Sequence, residues 1–246
     1  RHSFPTRRSS DLTAEEMKQW KDKKGRVVSI ISEEKQDPVP QAYDLTELQR
    51  DANIALGFSA KETLDTLQRL YEVHKIVTYP RTDSRYITPD IVPTLPERIS
   101  ALSGTIFSRV VDEYLEKGFV SDNPRFVDET KVSDHHAIIP TEEKVRVEKL
   151  SNEERKLWEL IALRFLETIG EDYVYKTTTA QIDVDGYIFK TRHTVAVKKG
   201  YRNVAESAGV KSTSISGELD DDSFALVRMK EGDEVNLESV RVRKTS

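Results

Sequence analysis

The chain has 246 residues, 37% of them hydrophobic and 33% charged, with a formal net charge of -5 and no cysteine. Disulfide scaffolds, thiolate zinc sites and cysteine nucleophiles are thereby excluded, and the composition fits a reducing cytoplasm. No apolar run is long enough to span a membrane and no secretory segment opens the chain; the negative sum alone argues against a nucleic-acid partner, but it says little about a local groove.

Residues 1–12 show no periodicity linking them to the rest of the chain and read as a non-native or disordered segment, such as a translated adapter. The chain opens on Arg1 and ends on Arg241-Val242-Arg243-Lys244-Thr245-Ser246 directly after a strand-like stretch, so it is expected to be part of a longer protein. Gly25 to Ile31 is β-like and is followed by a polar connector with prolines. Leu45, Leu48, Ala52 and Ala55 recur at helical spacing, with Gly57 placed to stop the helix. Ser59 with Glu62 forms a capping-box signature ahead of Leu64, Leu67, Leu70 and Tyr71. Thr88-Pro89 reads as a further helix start, Phe107 to Lys117 as a helix closed by Gly118. Ser151 with Glu154 repeats the capping box before Leu157, Leu160, Ile161 and Phe165, and Gly170 stops that helix.

Beyond Gly170 the period changes to two. Thr178, Ala180, Ile182 and Val184 alternate with polar residues, and Asp185-Gly186 marks a hairpin before Tyr187-Ile188-Phe189. Strand-like segments come next at Val195 to Val197, Phe224 to Val227 and Val235 to Val242, with a loop expected from Ser207 to Ser223. The fold class is therefore α+β: a helical domain inserted into an antiparallel β domain. The expected boundaries are 13–40 for the first pass of the β domain, 41–170 for the helical domain and 171–246 for the return.

One segment carries chemistry: Ile76-Val77-Thr78-Tyr79-Pro80-Arg81-Thr82-Asp83-Ser84. Pro80 biases Tyr79 towards an extended backbone, which points Tyr79 and Arg81 to the same side. Thr82, Asp83 and Ser84 can fold back through side-chain to backbone bonds. A phenol beside a guanidinium suits attack on a phosphodiester, because positive potential favours the phenolate and the planar fork binds phosphate oxygens. A bare Tyr-x-Arg, however, occurs by composition alone, most often as a strand-end tyrosine with a surface arginine.

The longer match decides. The run from Ile76 to Ser84 resembles the active-site signature of type IA topoisomerases, and the proline between Tyr and Arg is similar to the topoisomerase III branch. Tyr43-Asp44-Leu45-Thr46-Glu47-Leu48-Gln49-Arg50-Asp51-Ala52-Asn53, continuing through Gly57-Phe58-Ser59-Ala60, resembles the helical lead-in to the family's tyrosine. Ser133-Asp134-His135-His136-Ala137-Ile138-Ile139-Pro140-Thr141 resembles its histidine motif. The resemblance implies that Tyr79 attacks single-stranded DNA to form a 5′-phosphotyrosyl link, that Arg81 stabilises the phosphate, and that His135 contacts the scissile phosphate or aids proton transfer. Thr82, Ser84 and Ser133 are expected to join Arg81 and His135 in binding DNA. His136 is expected to support; read without the family, the two histidines suit a helix cap after Ser133-Asp134 better than a metal site, for which no third ligand is spaced.

The family also implies an acidic metal-binding domain that supplies Mg2+ ligands and a general-acid glutamate, and no counterpart is recognisable in this chain. Asp183-Val184-Asp185 and Asp220-Asp221-Asp222 read as solvated surface. No metal site is therefore expected in the chain itself; Mg2+ would be held by residues outside it, and the chain alone is expected to be inactive. What it contains corresponds to the family's arch, expected to be cytoplasmic and monomeric, with single-stranded or underwound DNA as partner. Two alternatives remain. A tyrosine recombinase would need dispersed arginines and a late tyrosine, and a nicking relaxase two histidines flanking an apolar residue. A non-catalytic single-strand-binding module would use Tyr71, Tyr79 and Tyr86 among Arg69, Lys75, Arg81 and Arg85.

Overall fold

The computed structural model describes residues 7–8, 23–210 and 229–236. Two compact units emerge: one from residues 1–36, 174–197 and 217–246, the other from residues 37–173 and 198–216.

The first unit is built on a five-stranded sheet in the order β1-β4-β3-β2-β5, with β1 Arg7–Arg8, β2 Lys24–Asp37, β3 Tyr173–Val184, β4 Tyr187–Lys198 and β5 Glu234–Asn236. The hairpin joining β3 to β4 turns on Asp185 (φ 52°) and Gly186 (φ 86°), two consecutive left-handed residues that match the twist of the flanking strands. Strand β2 runs against β3. Gly25 lies under Ile182 and Val184, while the Ser32 and Thr178 hydroxyls meet at 2.9 Å, so the numbers run in opposite directions. Strand β5 is antiparallel to β2, with Gly25 opposite Val235; β1 is the exception, pairing parallel to β4 with Arg7 opposite Tyr187. Strand β2 also extends six residues past the expected Ile31. Those residues are polar and mainly exposed, so their own sequence carries no strand period and pairing alone makes them strand. The segments at Phe224 to Val227 and beyond Asn236, and Asp220-Asp221-Asp222, lie outside the described residues.

The second unit is helical: α1 Leu45–Leu56, α2 Ala60–Glu72, α3 Leu95–Ser100, α4 Ser108–Lys117, α5 Asn152–Thr168 and α6 Arg202–Ala208. Helix α1 starts on the Asp44 side chain and ends on Gly57 at φ 74°, the left-handed stop that glycine accepts without strain. Both capping boxes close as their sequences require. Helix α3 starts later than Thr88-Pro89 suggests. Pro93 and Pro96 lack amide hydrogens and fit only first turns, so a 3-10 turn at Val92–Thr94 precedes a helix beginning at Leu95. Helix α6 occupies a stretch in which no helical period is evident, and its last residues fall at the start of the expected 207–223 loop.

Helix α5 is the hub. From Leu157 to Thr168 all but Glu159 is buried, the pattern of a helix enclosed by others rather than lying on a surface. Helices α1, α2 and α6 contact it. Trp158, Leu157, Ile161, Phe165 and Leu166 meet Leu48, Leu67, Leu70 and Phe107 in one cluster; each such side chain contributes about 1.5–3 kcal/mol by leaving water. Arg164 enters this core because its charge is met there: Asp51 at 2.7 Å, the Gln41 carbonyl at 3.2 Å, and the Tyr43 ring with its centroid 4.2 Å away. That use of Asp51 explains why the buried face of α1 is Leu48, Asp51 and Ala52, with Ala55 left exposed. Among the described residues no helix is long and apolar enough to cross a membrane.

Candidate active site around Tyr79

The Tyr79 segment leaves α2 through Val73 and His74 and becomes extended after Lys75, which sits at φ 58°. From there it forms a short antiparallel ribbon with the histidine segment: Val77 pairs with Pro140, Thr78 N–H donates to the Ile139 carbonyl (3.0 Å), and Thr141 N–H donates to the Ile76 carbonyl (3.2 Å). Thr78 points opposite to Tyr79, as neighbours in extended backbone must. Its hydroxyl donates to the Ala137 carbonyl (2.9 Å) and accepts the Ile139 amide (3.0 Å). Sequence reasoning gave Thr78 no part, although its place beside the tyrosine and its polar, branched side chain were the available signal.

The ribbon sets the tyrosine against the histidine. The Tyr79 and His135 rings lie 4.0 Å apart between centroids, tilted by 32°, and Tyr71 meets Tyr79 edge-on at 5.6 Å. Pro80 is buried and Arg81 is exposed, with no ion pair or hydrogen bond for Arg81 among the described residues. The expected phenol–guanidinium pair is thus not closed in this structure. The ring's neighbours are His135 and Tyr71, and the guanidinium stands open to solvent. His135 and Ser133 are exposed as well.

Thr82 and Ser84 are placed differently. Both are buried, at 8% and 4% exposure. The Thr82 hydroxyl donates to the His135 carbonyl (2.9 Å) and accepts the Ser84 amide (3.1 Å). The Ser84 hydroxyl donates to the Lys131 carbonyl (2.8 Å) and accepts the Tyr86 amide (3.2 Å). With their donor hydrogens spent inside the chain, these two hydroxyls hold the loop in shape instead of offering the DNA contacts expected of them. No helix follows Ser133-Asp134, so the histidines are not a cap. His136 donates from Nδ1 to the Ala137 carbonyl (2.8 Å), and burial pushes its pKa below the ordinary value against the opposing pull of that carbonyl. Burial thus disfavours its charged form, while the His135 ring is exposed beside Tyr79.

The remaining aromatic and basic residues are largely committed. Arg85 binds Asp44 (2.7 Å) and Glu47 (3.0 Å), and Arg69 binds Glu154 (2.6 Å). The Tyr86 hydroxyl accepts from Gln41 (2.7 Å) and Lys131 (3.3 Å). Among the described residues, no group of three His, Asp or Glu side chains is placed to hold a metal ion. The Asp183 carboxylate accepts the Gly186 amide, and Asp185 is paired with Lys23.

Comparison with known proteins bears on this geometry. The family described as DNA topoisomerase matches residues 1–246. DNA topoisomerase 3 of Bacillus subtilis is 42% identical over 200 residues, covering 81% of this chain and 27% of the relative. DNA topoisomerase 3 of Bacillus licheniformis is 41% identical over 222 residues, 89% and 29% respectively. The full-length topoisomerase I structure from Thermotoga maritima superposes with a TM-score of 0.62 at 23% identity, covering 92% of this chain and 35% of that one, a likeness of fold. The chain thus spans somewhat over a quarter of the length of these curated relatives. With the tyrosine, arginine and histidine motifs in order and the whole length matched, the chain belongs to the type IA DNA topoisomerase family.

Proposed function

We propose that this chain is the tyrosine-bearing arch of a type IA topoisomerase of the topoisomerase III kind, a helical domain inserted into a β domain, and that Tyr79 is its DNA-cleaving nucleophile. The observation that carries the reading is the Tyr79 ring against exposed His135 at 4.0 Å, two residues before an arginine with no carboxylate partner among the described residues. In the proposed reaction the Tyr79 oxygen attacks the phosphorus of a single-stranded DNA phosphodiester. A tyrosyl–phosphate ester forms, the bond to the 3′ oxygen breaks, and the phenolic proton is given up as the leaving oxygen gains one. The product is a 5′-phosphotyrosyl link. Because one ester replaces another, the released 3′ hydroxyl can reverse the step without ATP once a second strand has passed. Arg81 holds the non-bridging oxygens, where charge builds in the transition state. His135 contacts the same phosphate or relays a proton, and Ser133 helps bind the strand.

The reading includes a monomer acting on single-stranded or underwound DNA in the cytoplasm, with Mg2+ and the general acid supplied by residues outside this chain. Two outcomes test it. With Mg2+ and negatively supercoiled plasmid, the 246-residue chain alone should show no relaxation; robust turnover would sink the division of labour. In the protein that includes the metal-binding region, trapped DNA should be joined through its 5′ end, and a 3′ link would point to a recombinase-like enzyme instead. The non-catalytic module is disfavoured by its own residues, since Arg69, Arg85 and the Tyr86 hydroxyl are engaged within the chain.

A further inference from the structure

The ribbon that carries Tyr79 has a second end, and a basic pocket sits on it. Val145 is buried, and in extended backbone its neighbours must point the other way, so Lys144 and Arg146 face out. A 3-10 turn at Val147–Lys149 comes next, closed by the Lys149 amide on the Arg146 carbonyl at 2.9 Å. Lys144, Arg146 and Lys149 all line a cavity of about 290 Å³ whose walls include His74, Ile76 and Glu143. Three cations thus meet one carboxylate, and none of the three has an ion-pair partner among the described residues. The His74 imidazole is already bonded to Glu154 at 3.2 Å.

We infer that this pocket binds a backbone phosphate of the same DNA strand that Tyr79 acts on, a few nucleotides from the cleaved bond. The inference rests on the function proposed above. Spacing supports it: Ile76 in the pocket wall precedes Tyr79 by three residues of extended chain, so their Cα atoms lie at most about 11 Å apart and, at an odd offset, their side chains leave opposite faces of the ribbon, so the strand reaches the pocket around its edge. A single strand can extend at least as far per nucleotide as one strand of B-DNA, whose phosphates advance by about 3.4 Å, so a strand seated at Tyr79 can bring a phosphate to the pocket within about three nucleotides. Exposed long-chain cations without internal partners lose no ion pair when a phosphate arrives, and they release counterions from the DNA. The pocket would give the strand a second anchor and set its direction across the tyrosine.

The test is salt-dependent binding of a labelled oligothymidylate to the full 246-residue chain, read by fluorescence anisotropy. Replacing Lys144→Gln, Arg146→Gln and Lys149→Gln together should reduce the slope of log affinity against log salt by about 2, roughly 0.7 per charge. Affinity should weaken about tenfold or more at low salt and converge with wild type at high salt. Lys61→Gln, at an exposed lysine paired with Asp65 on α2, should leave the slope unchanged. Lys149→Gln alone should lower it by about 0.7, which keeps the test valid if the triple variant melts early. Unchanged slope in the triple variant would overturn the pocket while leaving Tyr79's assignment intact. A wild-type chain that binds no single strand even at low salt would also overturn the pocket, while the Tyr79 assignment is tested separately by the covalent adduct.

Discussion

Two stretches of this chain carry the same four-residue device and put it to different use. Ser59 to Glu62 opens α2 and Ser151 to Glu154 opens α5. In each, the serine hydroxyl accepts the glutamate amide at 3.2 Å and the glutamate carboxylate accepts the serine amide at 2.8 Å. Glu62 stands in solvent and, among the described residues, makes no ion pair. The Glu154 side chain is 3% exposed and also holds Arg69 at 2.6 Å and His74 at 3.2 Å. A local cap has become a clamp between the start of α5, the end of α2 and the turn five residues before Tyr79. Local sequence decides that a helix starts; what packs against that start decides whether the cap also positions a site.

The largest effect should come from Glu154→Ala. It removes a charge-assisted bond to Arg69, the contact to His74 and one cap bond, for a loss of about 3 kcal/mol, measured by denaturant unfolding. A cost no greater than that of Glu62→Ala would break the distinction between clamp and cap. Next, Ser59→Ala should cost about 1 kcal/mol and Ser151→Ala somewhat more, because the Ser151 hydroxyl also donates to Glu153 at 3.1 Å; equal costs would show that this second bond adds nothing. Glu62→Ala should move the thermal midpoint least of the four.

Acid titration sharpens the same contrast. Burial alone would raise the Glu154 pKa, but the Ser151 amide, the Arg69 guanidinium and the His74 charge outweigh it and hold the group below its ordinary value of 4.5. A carboxyl whose folded pKa is depressed adds stability that is present above the unfolded value and is lost as pH falls through the folded one. Glu154→Gln should therefore flatten the acid limb of stability below about pH 4.5. Glu62 is also held low, by its Ser59 bonds, but in full solvent, so Glu62→Gln should change that limb less.

These elements also mark how far sequence reading reaches. Both capping boxes, the Gly57 stop and the Asp185-Gly186 hairpin were legible because their signals are short-range and each bond lies within four residues. The late start of α3 was legible in principle, since Pro93 and Pro96 forbid an earlier one. The extension of β2 to Asp37 and the existence of α6 were not, because polar residues were drafted into them by partners distant in sequence. At the site, the motifs supplied Tyr79, Arg81 and His135. They did not show that Thr82 and Ser84 turn inward, that Tyr71 and His135 flank the phenol, or that Glu154 fastens the approach from 75 residues downstream. Those facts depend on the ribbon between residues 76–78 and 138–141, a pairing no local pattern encodes.

The most direct test of the account asks which residue joins DNA. The protein that includes the metal-binding region should be incubated with end-labelled single-stranded DNA, denatured and digested with protease, and the DNA-linked peptide identified by mass spectrometry. The account predicts a peptide containing Tyr79, and no adduct from the Tyr79→Phe variant. A DNA-linked peptide lacking Tyr79, or an undiminished adduct from Tyr79→Phe, would contradict it.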